Sequence, residues 1–590
     1  MEKRSKISEK YKWNLKTIYK SESEFFSELN NLNFDNVNNL KNKKLEKNNI
    51  LKLLDLYFDT YRQIAKLYTY ANLKLSEDVS NSNAIKNKML AEEKYTNFLN
   101  EFSFVEPSLL SLEEDFLKSL INDKKFTNYD VYLKNLLRQK SHILSEKEEK
   151  ILAGTSSFSG GFDDIQSTLE NADLKFNDIT LESGKKIKLN GLNYTTLLSQ
   201  LNKEDRKKVY NEYYRVFENH INTFAINYIF SIKKDCFYAK ARNFTGCMEA
   251  SLFNEEVDSI VYENLIKTIN NSLPVMHKYF AIKAKETGKK KLNFYDVYLK
   301  DKKINKKVEF AEALNLVKNC TKNLGEDYTS YLVSCYKNRW IDIYPNENKR
   351  GGAFCSDVYA VSPFVLLNYN NKLDDVFTVA HELGHAMHSH YSMENLPFSK
   401  YDYTIFVAEV ASTVNELLLL KYLKSNAKNK EEKKYYVKHF IESFKSTVFR
   451  QTMFSEFEKI AHELVEQNKG ISKDILCDTY LNLVKKYHGN AFIYDKNIKY
   501  EWARIPHFFT PYYVYKYATG FITAVILSEK IYNNDEKTII AYKNFLSSGG
   551  IKDPITLLKE TGVDLTNLSS MNYAIKVLEN SVKELTSLTK

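Results

Sequence analysis

Phe377-Thr-Val-Ala-His-Glu-Leu-Gly-His-Ala-Met-His388 is the stretch from which the rest of the chain is read. On an α-helix, residues four apart share a face, because four steps of about 100° come to about 400°. His381 and His385 therefore point the same way, one turn apart, and can grip one metal ion together. Glu382 is turned about 100° from His381, beside the metal without ligating it. Two His ligands, and a carboxylate able to take a proton from the attacking water, predict zinc-dependent hydrolytic chemistry. His462-Glu-Leu-Val-Glu466 begins the same way but has Glu where the second His belongs. It is expected to be an ordinary solvated helix.

The third ligand is expected from Phe406-Val-Ala-Glu-Val-Ala-Ser-Thr-Val-Asn-Glu416. A second helix, antiparallel to the first after a loop through Pro397, would return Glu409 to the metal. Two His and one Glu leave a fourth position open, as a catalytic zinc requires. Val407, Ala408, Val410 and Ala411 around it are small and apolar, so Glu409 is expected to be a lone carboxylate on a buried helix. Such a group is costly unless paired or bound to a metal; the rival reading is a helix-surface glutamate.

The chain has 590 residues, ample for a large core, and only 8 Pro and 17 Gly interrupt a sequence rich in Leu, Lys, Glu and Asn. Long helices with few breaks follow. No apolar run approaches the roughly 18–20 residues needed to span a bilayer. Met1-Glu-Lys-Arg-Ser-Lys is charged, with no apolar stretch after it, so no secretory signal is expected. Six scattered cysteines without a C-x-x-C pair read as reduced thiols of a cytoplasmic protein. Cys355 is expected to be a small core residue. The net charge of +10 comes from lysines interleaved with acids, a pattern of solvated helix faces rather than a nucleic-acid stripe. No nucleic-acid or membrane partner is expected.

Residues 1 to about 165 carry a helical rhythm, clearest over 49–69 and 84–104, and it breaks at Phe158-Ser-Gly-Gly-Phe. Alternation on either side of Glu182-Ser-Gly-Lys predicts a β-hairpin. Strand-like segments are expected at 291–298 and over 339–370, directly before the metal helix. A short sheet there, with Gly351, Gly352, Ala353 and Phe354 at its edge, could hold an extended peptide by strand pairing; an ordinary structural hairpin is the equal alternative. A second unusual stretch is Arg504-Ile-Pro-His-Phe-Phe-Thr-Pro-Tyr-Tyr-Val-Tyr-Lys-Tyr-Ala-Thr-Gly520. Pro511 can start a helix, on which Tyr513 and Tyr517 share a face. An imidazole N–H or a phenol aimed at a developing oxyanion stabilises it; an aromatic core helix is the competing reading.

Taken together, His381-Glu-Leu-Gly-His-Ala-Met-His, Phe406-Val-Ala-Glu-Val-Ala-Ser-Thr-Val-Asn-Glu, Ile505-Pro-His and Tyr513-Val-Tyr-Lys-Tyr-Ala-Thr-Gly resemble oligoendopeptidase F, of the thimet-oligopeptidase-like zinc metallopeptidases. Weaker matches begin at Tyr11-Lys-Trp-Asn-Leu, so the resemblance covers nearly the whole chain. It implies a mainly α, two-lobed fold around a deep central channel, with a small β-sheet beside the zinc helix. Residues 1–195 would form an N-terminal helical lobe ending in the hairpin region, and 196–590 the zinc-peptidase domain. It implies one Zn2+ per chain held by His381, His385 and Glu409, with Glu382 as general base. His507, Tyr513 and Tyr517 would contact the carbonyl oxygen or the substrate backbone, with Tyr512 a further substrate-binding residue. Glu416 and His388 would stand behind the ligands. The implied activity is endoproteolytic cleavage of short oligopeptides. The alternatives are a zinc carboxypeptidase on the same scaffold and a catalytically dead peptide-binding protein.

Overall fold

The computed structural model describes residues 2–41, 43–299 and 306–590. The helical rhythm of the N-terminal third becomes Lys47–Glu77 and Ser82–Glu101. Ile50, Leu53, Leu54, Ile64, Leu67 and Ala71 form the buried stripe of the first helix, at the three- and four-residue spacing that places side chains on one face. Asn81 starts the second by accepting the Ala84 N–H at 3.0 Å, one of the donors a helix N-terminus leaves unpaired.

The chain folds as two compact units, each built from three stretches. The first comprises Met1–Ser141, Asn305–Ser425 and Ala524–Val563; the second comprises His142–Ile304, Asn426–Thr523 and Asp564–Lys590. Residue 195 lies within the helix Tyr194–Gln200 of the second unit, so these units do not divide at the sequence boundary expected there.

In the first unit the N-terminal helices pack on a three-stranded sheet through one apolar core that includes Trp13, Leu53, Phe98, Val358, Phe364 and Leu366. The strands among the described residues are β1 (Ile179–Thr180), β2 (Lys186–Ile187), β3 (Ile341–Asp342), β4 (Phe354–Val358) and β5 (Ser362–Leu366). β5 is central, parallel to β3 and antiparallel to β4, with Phe354 opposite Leu366 and Val358 opposite Ser362. Burial of the whole of β5 suits the apolar run Pro363–Leu366 that makes up most of it. Among the described residues β4 pairs on one side only. The turn ahead of it is anchored by the buried Lys349, whose Nζ reaches Asp342 Oδ1 at 2.7 Å and the carbonyl oxygens of Tyr344 at 2.8 Å and Leu367 at 2.6 Å.

The second unit is organised on the helix Lys203–Ala241, capped by Asn202. Its aromatic core gathers Tyr228, Phe457, Trp502 and Phe508. β1 and β2 form the expected hairpin, with Ile179 opposite Ile187 and Gly184 at a φ of +80° in the turn. The segment 291–298, expected as a strand, is instead the 3-10 turn Phe294–Asp296 with a single bridge from Leu292 to Phe492. The cause is Asp296. Its buried carboxylate accepts the Asn293 N–H at 3.1 Å and pairs with Arg206 and Lys289, folding the backbone back on itself. Among the described residues no helix is long and apolar enough to cross a membrane.

Candidate metal centre

The metal helix runs Leu373–Asn395. Asp375 begins it, its Oδ2 accepting the N–H groups of Asn370 at 2.7 Å and Lys372 at 3.0 Å; an acid there also suits the positive end of the helix dipole. The next helix is Ile405–Ser425. From the Ala380–Asn415 and His381–Glu416 contacts at one level to His385–Glu409 at the next, the first helix ascends while the second descends. The pair is therefore antiparallel, as expected. Gly384 sets their spacing. A Cβ there would lie 2.5 Å from Ser412 Cα and 2.7 Å from the Ala411 oxygen, so only glycine permits the backbones to approach this closely.

That approach brings three donor atoms together. His381 Nε2 and His385 Nε2 are 3.2 Å apart, and Glu409 Oε2 lies 3.4 Å from the first and 3.6 Å from the second. A tetrahedral zinc with ligands at about 2.0–2.1 Å spaces them about 3.3 Å apart, so the set fits that ion. The tautomers fit as well. His381 Nδ1 donates to Glu416 Oε1 at 2.6 Å, which leaves the Nε2 lone pair facing inward. The His385 ring bonds the Ala408 backbone carbonyl. Ser412 Oγ donates to Glu409 Oε2 at 3.0 Å, orienting the third candidate ligand; no motif-level signal marked that serine. Glu409 departs from expectation: its side chain is 46% exposed, because the small buried neighbours pack inward while the carboxylate faces solvent.

Burial alone would depress His381, but the hydrogen bond and charge of Glu416, with Glu382 and Glu409 behind it, raise it to about 8. His385 goes the other way, lowered by burial and by the charge of His381. Glu382 is buried at 6% exposure. That burial pushes its carboxyl to about 7, with Glu409 and Glu416 adding and His381 opposing. A carboxyl near neutrality suits a proton acceptor and donor at physiological pH.

Gly351 and Gly352 are exposed, Ala353 and Phe354 half-buried, in the turn leading into β4. Gly352 has a φ of +81° and open space where a Cβ would be. Phe354 turns toward Trp13, with ring centroids 6.5 Å apart. On β4, burial and the charge of Glu382 push the Cys355 thiol well up, so it is no reactive thiolate and the strand lies close to Glu382.

Two expected site residues are buried. His388 is 1% exposed; its ring stacks on Tyr403 with centroids 3.6 Å apart, and its Nδ1 has no hydrogen-bond partner. Being three residues past His385, it lies about 60° off the ligand face. Tyr512 is 2% exposed, against Tyr262 and His462. The helix after Pro511 begins only at Tyr515, because Tyr512 adopts a φ of +52° and its N–H goes to Glu458 Oε1 at 2.7 Å. His507, Tyr513 and Tyr517 do gather, within the second unit: the Tyr513 and Tyr517 rings are 5.5 Å apart, and the imidazole is 6.2 Å and 6.0 Å from them. His462, expected on a solvated helix, is fully buried, facing Asp235 at 3.7 Å.

A helical scaffold carrying this donor set defines a metallopeptidase class. The chain belongs to Peptidase family M3, whose profile matches residues 196–577; a second profile, described as Oligopeptidase F, matches residues 108–176. Oligopeptidase PepF of Bacillus subtilis is 35% identical over 99% of this chain and 88% of its own length. An oligoendopeptidase F homolog of Borreliella burgdorferi is 36% identical over 99% of both chains. A crystal structure from Chlamydophila abortus matches with a TM-score of 0.95 at 33% identity, covering 100% of both chains. That of oligoendopeptidase-F from Enterococcus faecium matches with 0.73 at 30% identity, covering 96% of this chain and 97% of its own. The resemblance to oligoendopeptidase F therefore holds along the chain.

Proposed function

We propose that the protein is a zinc-dependent endopeptidase of short oligopeptides, acting in the cytoplasm. The observation that carries the proposal is the convergence of His381 Nε2, His385 Nε2 and Glu409 Oε2 at 3.2–3.6 Å beside a buried Glu382. Membership of a peptidase family and the names of the curated relatives support the substrate class, and six free cysteines suit a reducing compartment.

His381, His385 and Glu409 would hold the ion. When bound, zinc supplies Lewis acidity, lowering the pKa of a water and polarising a carbonyl. Glu382 takes the proton of the attacking water and hands it to the leaving amine. Glu416 keeps His381 in the tautomer that presents its lone pair, and Ser412 keeps Glu409 turned toward the imidazoles. The unpaired side of β4 and the turn at Gly351 and Gly352 offer backbone groups to an extended peptide. The resemblance to oligoendopeptidase F gives His507 and Tyr513 the role of hydrogen-bond donors to the carbonyl oxygen, with Tyr517 supporting them.

The test is cleavage of an internally quenched peptide of about ten residues, blocked at both ends, by wild type and Glu382→Gln with matched zinc content. Wild-type cleavage lost in the variant supports an endopeptidase with Glu382 as its base. Trimming confined to a peptide with a free C-terminus would replace the reading with a carboxypeptidase. Zinc binding without turnover on either peptide would point to a binding protein.

A further inference from the structure

The second His-Glu-Leu motif leads to a separate cluster within the second unit. His462 and Glu466 lie one turn apart on the helix Arg450–Glu466. Beside them stand Cys236, near the end of Lys203–Ala241, and Cys247, the first residue of Cys247–Asn254. The two sulfurs are 3.2 Å apart. A sulfur from each cysteine and a carboxylate oxygen of Glu466 all lie within 4.8 Å of one another. Glu466 Oε1 is held by the Cys247 N–H at 2.6 Å, and a Cβ on Gly246 would come within 3.0 Å of that oxygen. The backbone thus presses the carboxylate into the cluster.

We infer that Cys236, Cys247 and Glu466 form a second metal site, for a thiophilic divalent cation of the zinc and cadmium class. Two thiolates and a carboxylate are a donor set that such ions prefer. Tetrahedral ligation at about 2.3 Å spaces two sulfurs about 3.8 Å apart, so an ion would spread this pair by only about half an ångström.

An independent observation comes from His462. It is fully buried; its Nδ1 donates to the Glu458 carbonyl at 2.9 Å, and its Nε2 faces Asp235 Oδ2 at 3.7 Å. Among the described residues Glu458 Oε2 is buried without a hydrogen-bond partner. Buried polar atoms left unpaired are rare and costly. Lys234 is engaged with Asp235 at 3.2 Å.

The test is a Cd2+ titration of the reduced, chelator-stripped full-length protein. It reads thiolate-to-metal charge-transfer absorption together with bound cadmium by mass spectrometry. Two equivalents are expected, one of them bringing the absorption of two thiolates. The double variant Cys236→Ser with Cys247→Ser is expected to lose that absorption and one equivalent while cleaving the blocked peptide at the wild-type rate. Glu466→Gln is expected to keep the absorption with affinity lowered about tenfold. Absence of thiolate absorption from wild type would overturn the proposal, as would its persistence in the double variant. So would a Cys236–Cys247 disulfide found by peptide mapping of protein purified under reductant. The wild-type titration decides alone if the variants fail to fold. The set at His381, His385 and Glu409 contains no sulfur, so failure at one site is not mistaken for failure at the other.

Discussion

Replacing Gly384 by alanine should loosen the metal centre without touching a ligand. The added Cβ would lie 2.5 Å from Ser412 Cα, 2.7 Å from the Ala411 oxygen and 2.8 Å from the Ser412 nitrogen. Unbonded carbons need about 3.5–4.0 Å, so the two helices must part by about 1 Å. Ser412 is one turn from Glu409, and helices shift as rigid bodies. The separations of 3.4 Å and 3.6 Å from Glu409 to the two imidazoles would open past about 4 Å, beyond the 3.3 Å or so that tetrahedral zinc requires. Overpacking of this kind costs about 1–3 kcal/mol. The empty site can relax by opening; zinc binding must close it again. If that whole cost falls on binding, affinity drops by about 5- to 150-fold.

Global stability should move less, because alanine gains about 1 kcal/mol over glycine inside a helix. The assay is zinc competition against a chromophoric chelator, paired with thermal unfolding of the zinc-free protein and with turnover across added zinc. Gly384→Ala is expected to lose affinity and to recover turnover partly as zinc is raised. Gly520→Ala is the control, since its Cβ would meet nothing within 4 Å, and it should bind zinc as wild type does. Unchanged zinc affinity in Gly384→Ala would refute the claim that helix spacing sets the ligand geometry.

Glu416→Ala should weaken zinc binding about 10- to 100-fold, the range for partners that orient a metal-bound imidazole, and Glu416→Gln should weaken it less, measured by the same competition. His507→Phe and Tyr513→Phe should each lower kcat about 10²- to 10³-fold with KM nearly unchanged, whereas Tyr512→Phe, inside the core, should leave kcat within about threefold in the quenched-peptide assay. His388 carries a pH signature: burial holds its imidazole at about 3 against an ordinary value of 6.5. As pH falls below 6.5 the unfolded chain takes up a proton that the folded chain refuses until about 3. Its contribution is therefore intact above 6.5 and is lost through that window, at up to about 1.4 kcal/mol per pH unit. His388→Phe, stacked on Tyr403, should flatten this acid limb in denaturant titrations between pH 6.5 and 4.

The sequence made the candidate metal centre legible because its determinants are local. A His pair at a four-residue spacing offers two candidate ligands once a helix is assumed, and a small-residue helix following it offers a third. Gly384 and Ser412 were not legible, since their meaning depends on which backbone lies across from them. The Tyr512 region failed for a related reason. Pro511 signals a helix start, but the Glu458 carboxylate takes the Tyr512 N–H and bends the chain through a left-handed residue. Asp296 likewise overrode an alternating pattern by pairing with Arg206 and Lys289.

The two His-Glu-Leu stretches show where spacing stops being informative. Both sit on helices, and both place position four on the face of position one. At His381 the neighbouring helix supplies a carboxylate at 3.4 Å and glycine lets it approach. At His462 the histidine is buried while Glu466 is exposed, and what meets Glu466 is a pair of sulfurs from segments more than two hundred residues earlier in the chain. Periodicity reports which residues of a helix lie together. Whether that face becomes solvated, or a nitrogen-and-oxygen site, or a sulfur site, is decided by the element packed against it, and here those elements are remote in sequence.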